Sequence, residues 1–307
     1  MYLSILVPVD GSAASEHAIP WALSIAQQDG TALHLVRVHV PPAPIMVGSE
    51  LASDVALDAA IRSGEQAYLD DLAGRMRATS TIPIHASLLE GASADAIQDH
   101  AKSVQANLIA MTTHGRGAIA RFWLGSVADK VLRNSTIPTL MIRPREDQAA
   151  DLSVRPFLSR IIIPLDGSEL AEKILEPAMK LGKTTGAEYE LVLVLDAVED
   201  IEALANLKIQ APGGWFPEAT EAKAEAYLAR VAHRMRGHSL KVSTKVIRHG
   251  VAAKAVLDCA GEHGHVAIAL ATHGRSGIRR MFLGSVADKI VRGATVPVLV
   301  YHPPEDA

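Results

Sequence analysis

A single cysteine, Cys259, in 307 residues leaves no intrachain disulfide and no cysteine-based zinc site to consider. That usage suits a reducing cytoplasm, and Cys259 itself reads as a small core residue. Aromatic side chains are scarce, at 4%, although 49% of the chain is hydrophobic. The apolar content is therefore mostly Val, Ile, Leu and Ala, which suits parallel strands buried beneath helices. There is no excess of basic charge. The formal net charge of -4 argues against a broad nucleic-acid surface, which would show as a basic stripe. No apolar run approaches the roughly 18 residues a membrane span needs. The first residues, Met1-Tyr2-Leu3-Ser4-Ile5-Leu6-Val7-Pro8, carry no basic leader, and their apolar run has the length of a strand, so no signal peptide is expected. The expectation is a soluble cytoplasmic protein with no membrane or nucleic-acid partner. Its length corresponds to about two domains of roughly 150 residues each.

What the chain does contain is itself, twice. Thr113-His114-Gly115-Arg116 returns as Thr272-His273-Gly274-Arg275. After each of these glycines, at the same interval, comes one string: Leu124-Gly125-Ser126-Val127-Ala128-Asp129-Lys130, then Leu283-Gly284-Ser285-Val286-Ala287-Asp288-Lys289. Val9-Asp10-Gly11-Ser12 is echoed by Leu165-Asp166-Gly167-Ser168, Tyr68-Leu69 by Tyr227-Leu228, and Gly91 by Gly250. Order and spacing both repeat, so the chain is a tandem duplication. The polar stretch around Glu146, Asp147, Gln148 and Asp151 places domain 1 at 1–146, a linker at 147–157 and domain 2 at 158–307. So short a linker leads us to expect the halves to sit against each other.

In the first half, short apolar runs at Leu3–Val9, Thr31–Val40, Thr81–Leu89, Asn107–Thr112 and Ile137–Arg143 read as strands. Helical spacing follows Ser12, a candidate N-cap, and recurs over residues 52–78, Ala94–Ser103 and Val127–Asn134. Pro20, like Pro177 later, should kink the first helix or mark its effective start. The second half repeats this with strands near 160–165, 188–195, 240–248, 266–271 and 296–301. Alternating strands and helices predict the α/β class, as two tandem doubly wound, Rossmann-like parallel sheets of five strands, order 3-2-1-4-5, related by a pseudo-twofold axis. In such a sheet a ligand binds beyond the C-terminal strand ends, where the winding reverses between strands 1 and 4. Asp10 ends strand 1 and the Thr-His-Gly loop ends strand 4, so both repeated motifs meet one crevice.

Glycines ahead of a helix allow close approach of a phosphate to free amides and to the positive end of the helix dipole. Gly115 and Gly125-Ser126, with Gly274 and Gly284-Ser285, fit that role. A tight turn and a simple helix cap would equally use Gly115 and Ser126. Asp10 and Asp166 suit either a hydrogen bond from an adenine amino group or a turn cap. His114 and His273 have no Cys, Glu or second His at metal spacing beside them, so they read as turn residues, not metal ligands. Arg116 and Arg275 are either solvated or directed to phosphate. Gly182-Lys183-Thr184 mimics the end of a P-loop, but Pro177 stands where the first glycine is required, and the segment ends a helix.

On these motifs both halves resemble the universal stress protein family over nearly the whole chain. ATP-binding members carry glycine, two residues, a second glycine, nine residues, then Gly-Ser or Gly-Thr. Here Gly115 and Gly274 match the second glycine, and Gly125-Ser126 and Gly284-Ser285 the closing pair; Thr112 and Ala271 replace the first glycine. The resemblance implies ATP as ligand, with Mg2+ as an optional companion of its phosphates. It implies that Asp10 and Asp166 contact adenine and that backbone near Val38 and Leu195 holds the base. It implies that Thr112, His114, Gly115, Gly125, Ser126 and Val127, with Ala271, His273, Gly274, Gly284, Ser285 and Val286, surround the rest of the nucleotide. It also implies pairing through the last strand of each domain as an intramolecular pseudo-dimer, with a homodimer of the whole chain left open. The expected function is a regulatory, stress-response ATP binder that is not an enzyme beyond at most slow hydrolysis. A slow ATP-hydrolysing or nucleotidyl-transferring enzyme, and a nucleotide-free interaction module, are the alternatives.

Overall fold

The computed structural model describes residues 1–43, 45–47, 50–52, 55–114, 124–145, 148–195, 217–248, 250–272 and 284–304. They divide into two compact units, Met1–Pro156 and Phe157–Ala307.

In the first unit five strands form a parallel sheet: β1 (Ser4–Pro8), β2 (Ala32–His39), β5 (Ile84–Glu90), β6 (Leu108–Thr112) and β7 (Thr139–Ile142). Their spatial order is β5-β2-β1-β6-β7, the expected 3-2-1-4-5 once the five are counted along the chain. Helices α1 (Ala13–Glu16), α2 (Ala18–Asp29), α3 (Val55–Thr79), α4 (Ser93–Ser103) and α5 (Ser126–Asn134) make the crossovers. A feature not anticipated is the two-stranded antiparallel pair β3 (Ile45–Val47) and β4 (Glu50–Ala52), which stands apart from the main sheet. It occupies the connection from β2 to α3, where the short apolar run Ile45-Met46-Val47 carried no repeat signal.

The second unit repeats the plan with β8 (Arg160–Pro164), β9 (Glu188–Leu195), β10 (Val242–Arg248), β11 (Val266–Ala271) and β12 (Val298–Tyr301), in the order β10-β9-β8-β11-β12. Its helices are α6 (Glu169–Glu172), α7 (Leu175–Thr185), α8 (Pro217–Arg236), α9 (Ala252–Gly261) and α10 (Ser285–Gly293). Pro20 and Pro177 each lie in the first turn of their helix, where no backbone donor is required, just after the break that separates it from the short helix before.

The central strands explain their composition. Every residue of β1 and β6 is buried, because helices cover both faces of the sheet. Above them α4 presents Ala94, Ile97, Gln98 and Ala101 at helical spacing, and α5 presents Ala128, Val131 and Leu132. Each large aliphatic side chain removed from water in this way contributes about 1.5–3 kcal/mol.

The chain is fastened on both sides of the division between units. Ser24 Oγ donates to the Pro156 carbonyl at 2.6 Å, and Arg155 donates to Gln27 Oε1 at 2.8 Å and to the Thr79 carbonyl at 2.7 Å. Phe157 stacks on His265 with ring centroids 3.9 Å apart.

Gly182 is a packing glycine inside α7. A Cβ built there would collide with the phenol of Tyr189, a fully buried side chain whose hydroxyl donates to the Met179 carbonyl at 2.9 Å. Gly182→Ala is therefore expected to destabilise the chain by about 1–3 kcal/mol, despite the better helix propensity of alanine. Urea denaturation checks this; an unchanged or raised midpoint would show that Tyr189 moves aside at no cost.

Candidate functional site

In each unit the sheet winds one way from the first strand and the other way from the fourth. β1 pairs with β2 from Ser4↔Ala32 to Pro8↔Val36, and on its other edge with β6 at Ile5↔Leu108 and Leu6↔Ile109. The helices that follow β1 and β6 leave to opposite faces, so a crevice opens beyond the C-terminal ends of these two strands.

The β1 side of the crevice is a tight turn. Gly11 has φ +86°, as does its counterpart Gly167, a conformation that disfavours any side chain. Asp10 Oδ1 accepts hydrogen bonds from the Ser12 amide at 2.9 Å and the Ser12 hydroxyl at 2.6 Å. Ser12 caps α1 by accepting from the Ser15 amide, and Ser15 Oγ donates back to the Ser12 carbonyl at 2.8 Å. In the second unit Asp166 Oδ1 accepts from the Ser168 amide at 2.9 Å, and Ser168 caps α6 through the Ala171 amide. Both aspartates thus commit Oδ1 to the turn, whatever else their carboxylates contact.

On the other side, Thr112 ends β6. Its hydroxyl donates to the His114 carbonyl at 3.1 Å, and the Thr113 hydroxyl lies 3.1 Å from His114 Nδ1. The Gly125 amide donates to the Thr113 carbonyl at 2.7 Å, which ties the start of α5 to the end of β6. Gly125 and Gly284 occupy the N-cap positions of α5 and α10, with φ -60° and -54°. Neither helix receives a side-chain cap, so the first-turn amides of Ser126 and Val127, and of Ser285 and Val286, have no side-chain acceptor from the cap. The first-turn carboxylates Asp129 and Asp288 are each held by an arginine one turn later, Arg133 at 2.7 Å and Arg292 at 2.8 Å. In the second unit Ala271 ends β11, and the buried Thr272 donates its amide to the Tyr301 carbonyl at 2.9 Å.

Gly125 is informative for what does not require it. Its φ suits any residue, and an added Cβ would meet only the Thr113 carbonyl and His114 Cα, at ordinary contact distances of 3.5 and 3.6 Å. Neither backbone conformation nor packing among the described residues demands glycine there.

Register corrects one expected residue. The Val9 amide bonds the Val36 carbonyl at 2.8 Å, and the Leu165 amide bonds the Val192 carbonyl at the same distance. Two residues further along the same strand edge lie Val38 and Val194, whose backbone is directed past the ends of β1 and β8. Leu195 pairs with Arg248 of β10, on the opposite edge. In a parallel ladder successive residues address alternate neighbours, so a shift of one residue exchanges the edges. Val194, not Leu195, is the counterpart of Val38. By register, Asp10, Val38, Thr112 and His114 lie at the C-terminal end of the first sheet, with Gly125, Ser126 and Val127 at the start of the helix tied to it; in the second unit Asp166 and Ala271 lie at the corresponding strand ends, and Gly284, Ser285 and Val286 start the corresponding helix. Gly115, His273 and Gly274 lie outside the described residues, as do Arg116 and Arg275. Among the described residues no three His, Cys, Asp or Glu side chains could hold a metal ion, and no helix is long and apolar enough to cross a membrane.

Two doubly wound α/β domains in tandem, each with a glycine-capped helix at its switch point, define the class of protein. The family profile described as the universal stress protein family matches residues 1–143 and again 158–302, and the chain belongs to that family. A universal stress protein of Mycolicibacterium smegmatis (strain ATCC 700084 / mc(2)155) is 27% identical over 97% of both chains. One from Mycobacterium tuberculosis (strain ATCC 25618 / H37Rv) is 27% identical over 96% of both. The crystal structure of a universal stress protein from Archaeoglobus fulgidus DSM 4304 shares the fold, with TM-score 0.69 and 20% identity over 98% of both chains.

The turn that carries Asp166 allows a clean test of its geometry. An alanine Cβ at Gly167 would meet nothing within 4 Å, so any cost of Gly167→Ala comes from the backbone alone. The expected loss is about 1–2 kcal/mol. Equilibrium unfolding of the full chain measures it, and stability unaltered by the change would mean that the turn relaxes out of the left-handed region.

Proposed function

We propose that each domain holds one adenine nucleotide, ATP, in the crevice at its switch point, as a regulatory ligand with little or no turnover. The observation that carries this reading is Gly125: a helix N-cap that neither its backbone nor packing among the described residues requires to be glycine, opening onto first-turn amides without a side-chain cap. A phosphate is the group that such a site suits, since it needs close backbone approach, free donors and the positive end of a helix. Gly125-Ser126-Val127 and Gly284-Ser285-Val286 would take the phosphates, with the loops after Thr112 and Ala271. Asp10 and Asp166, with the open backbone edges at Val38 and Val194, would take the base. Mg2+ enters this reading only as a counter-ion of the phosphates.

The two sites are expected to differ. Thr112 stands where Ala271 stands in the second domain, and crowding of backbone that must approach a ligand costs about 1–3 kcal/mol, or roughly five- to two-hundred-fold in affinity. The second domain should bind more tightly.

Calorimetric titration of the wild type with ATP should give two sites per chain. Gly125→Val should remove the weaker and Gly284→Val the tighter, while the control Lys289→Val, at an exposed position of α10, keeps both. Mass spectrometry of the saturated protein after overnight incubation should recover intact ATP. Recovery of ADP or AMP would replace the regulatory reading with a catalytic one, and absence of binding to the wild type would end it.

A further inference from the structure

The first domain carries a buried ionic cluster that its repeat lacks. His39, the last residue of β2, is fully buried. Its Nδ1 lies 2.7 Å from Glu65 Oε2 and its Nε2 lies 2.9 Å from Asp58 Oδ1. Both carboxylates come from one side of α3, two turns apart. A neutral imidazole has one donor and one acceptor nitrogen, so a ring held between two carboxylates is an imidazolium.

The surroundings enforce that state. Arg37, two residues earlier on the same face of β2, donates to Glu65 Oε1 at 2.9 Å. Arg62 of α3 donates to Asp58 Oδ2 at 2.7 Å and bonds Glu90 of β5. Arg37 also lies over the Tyr68 ring, whose hydroxyl donates to Glu16 of α1, itself paired with Arg75. Across the sheet, on the opposite face of β2, His34 stacks on His85 with His100 of α4 at its edge. Within the cluster the cations Arg37, His39 and Arg62 balance the carboxylates Asp58, Glu65 and Glu90, and only while His39 keeps its proton. Burial alone would depress the imidazole, but the bonds to Glu65 and Asp58 outweigh it and hold its pKa above the ordinary 6.5. Asp58 is held below its ordinary range by its bonds to Arg62 and His39.

The second domain keeps the peripheral pairs, with Glu172 bonded to Arg234 and Glu221 to Arg248, but not the residues of the clamp. Leu193 and Leu195 stand at the positions of Arg37 and His39. By the offset that aligns Tyr68 with Tyr227, Ala224 stands at the position of Glu65.

We propose that His39 is a positioning residue for the first domain's nucleotide site: clamped between Asp58 and Glu65, it fixes the end of β2 and with it the backbone of Val38, making this site pH-responsive and the second site not. Val38 precedes His39 directly, on the strand edge that runs past the end of β1. The clamp joins that edge to α3 across a connection that is otherwise long. The sign follows from the raised pKa. The clamp's contribution is complete below about pH 6.5 and is lost as pH rises through the higher value of the folded protein. Deprotonation leaves Asp58 and Glu65 with uncompensated negative charge beside the buried ring, and the β2–α3 tie loosens.

This inference rests on the nucleotide reading above, and two measurements keep them separable. ATP titrations of the full chain would be run at about pH 6 and about pH 9, with Gly284→Val isolating the first site and Gly125→Val the second. The second site corrects for titration of ATP itself. The first site should lose about fivefold or more in affinity relative to the second, a difference abolished by His39→Leu or, should that variant fold poorly, by Glu65→Gln. In nucleotide-free protein, amide exchange should show protection at Val38–Val40 falling over the same interval in the wild type and not in the His39 variant. A flat wild-type profile, or a slope that survives loss of His39, overturns the proposal. If neither site binds ATP at any pH, the nucleotide reading fails and the exchange data alone decide the clamp.

Discussion

Parallel strands cannot be joined by a tight turn. Each parallel ladder in this protein obliges the chain to cross back over the sheet, and the handedness of that crossing decides which face each helix covers. Because β1 is laid down first and β2 and β6 are added on its two sides, helices depart in opposite senses from adjacent strand ends. The crevice is what remains between them. Asp10, Val38 and the Gly125 cap are distant in sequence and are neighbours only because of this reversal. The second domain, built by the same rule, arrives at the same arrangement with Asp166, Val194 and Gly284.

Much of that arrangement was legible in the sequence, because the repeat doubled each signal. One Asp-Gly-Ser after an apolar run is a common turn; two at matching places before matched Gly-Ser pairs locate strand ends and helix starts. The alternation of strands and helices implied a parallel doubly wound sheet, while its order was an assumption that the pairing of β1 with β2 and β6 bears out. What escaped was set by spatial register and by packing. Val194 could not be told from Leu195 in the apolar run that ends β9, since only the pairing Pro164↔Val192 says which edge each residue addresses. Nor does sequence reveal that Gly182 makes room for Tyr189. The His39 cluster did leave a trace. Arg37 and His39 alternate at the end of β2, where the second copy reads Leu193 and Leu195.

That contrast shows how duplicated domains diverge without losing their fold. The helix that follows the second strand packs against the sheet through aliphatic side chains in either case, but only the first domain adds the His39 clamp, where the second has Leu195. Apolar packing is indifferent to pH. A buried set of charges holds only while its protons stay where the geometry needs them, and removing one partner costs more than the set contributes when intact.

Another difference between the copies bears on how the chain avoids misassembly. In the first domain the α3-to-edge-strand contact places Arg62 against Glu90; in the second the charges are exchanged, with Glu221 of α8 against Arg248 of β10. Tandem domains of one fold are prone to exchange equivalent elements while folding. Were α3 to settle on β10, Arg62 would meet Arg248; were α8 to settle on β5, Glu221 would meet Glu90. Either exchange sets like charges together where the correct pairing sets opposites. The inverted pair contributes little to the finished structure, as exposed ion pairs do. What it does is distinguish the two helix–strand contacts by the sign of the charge on each side.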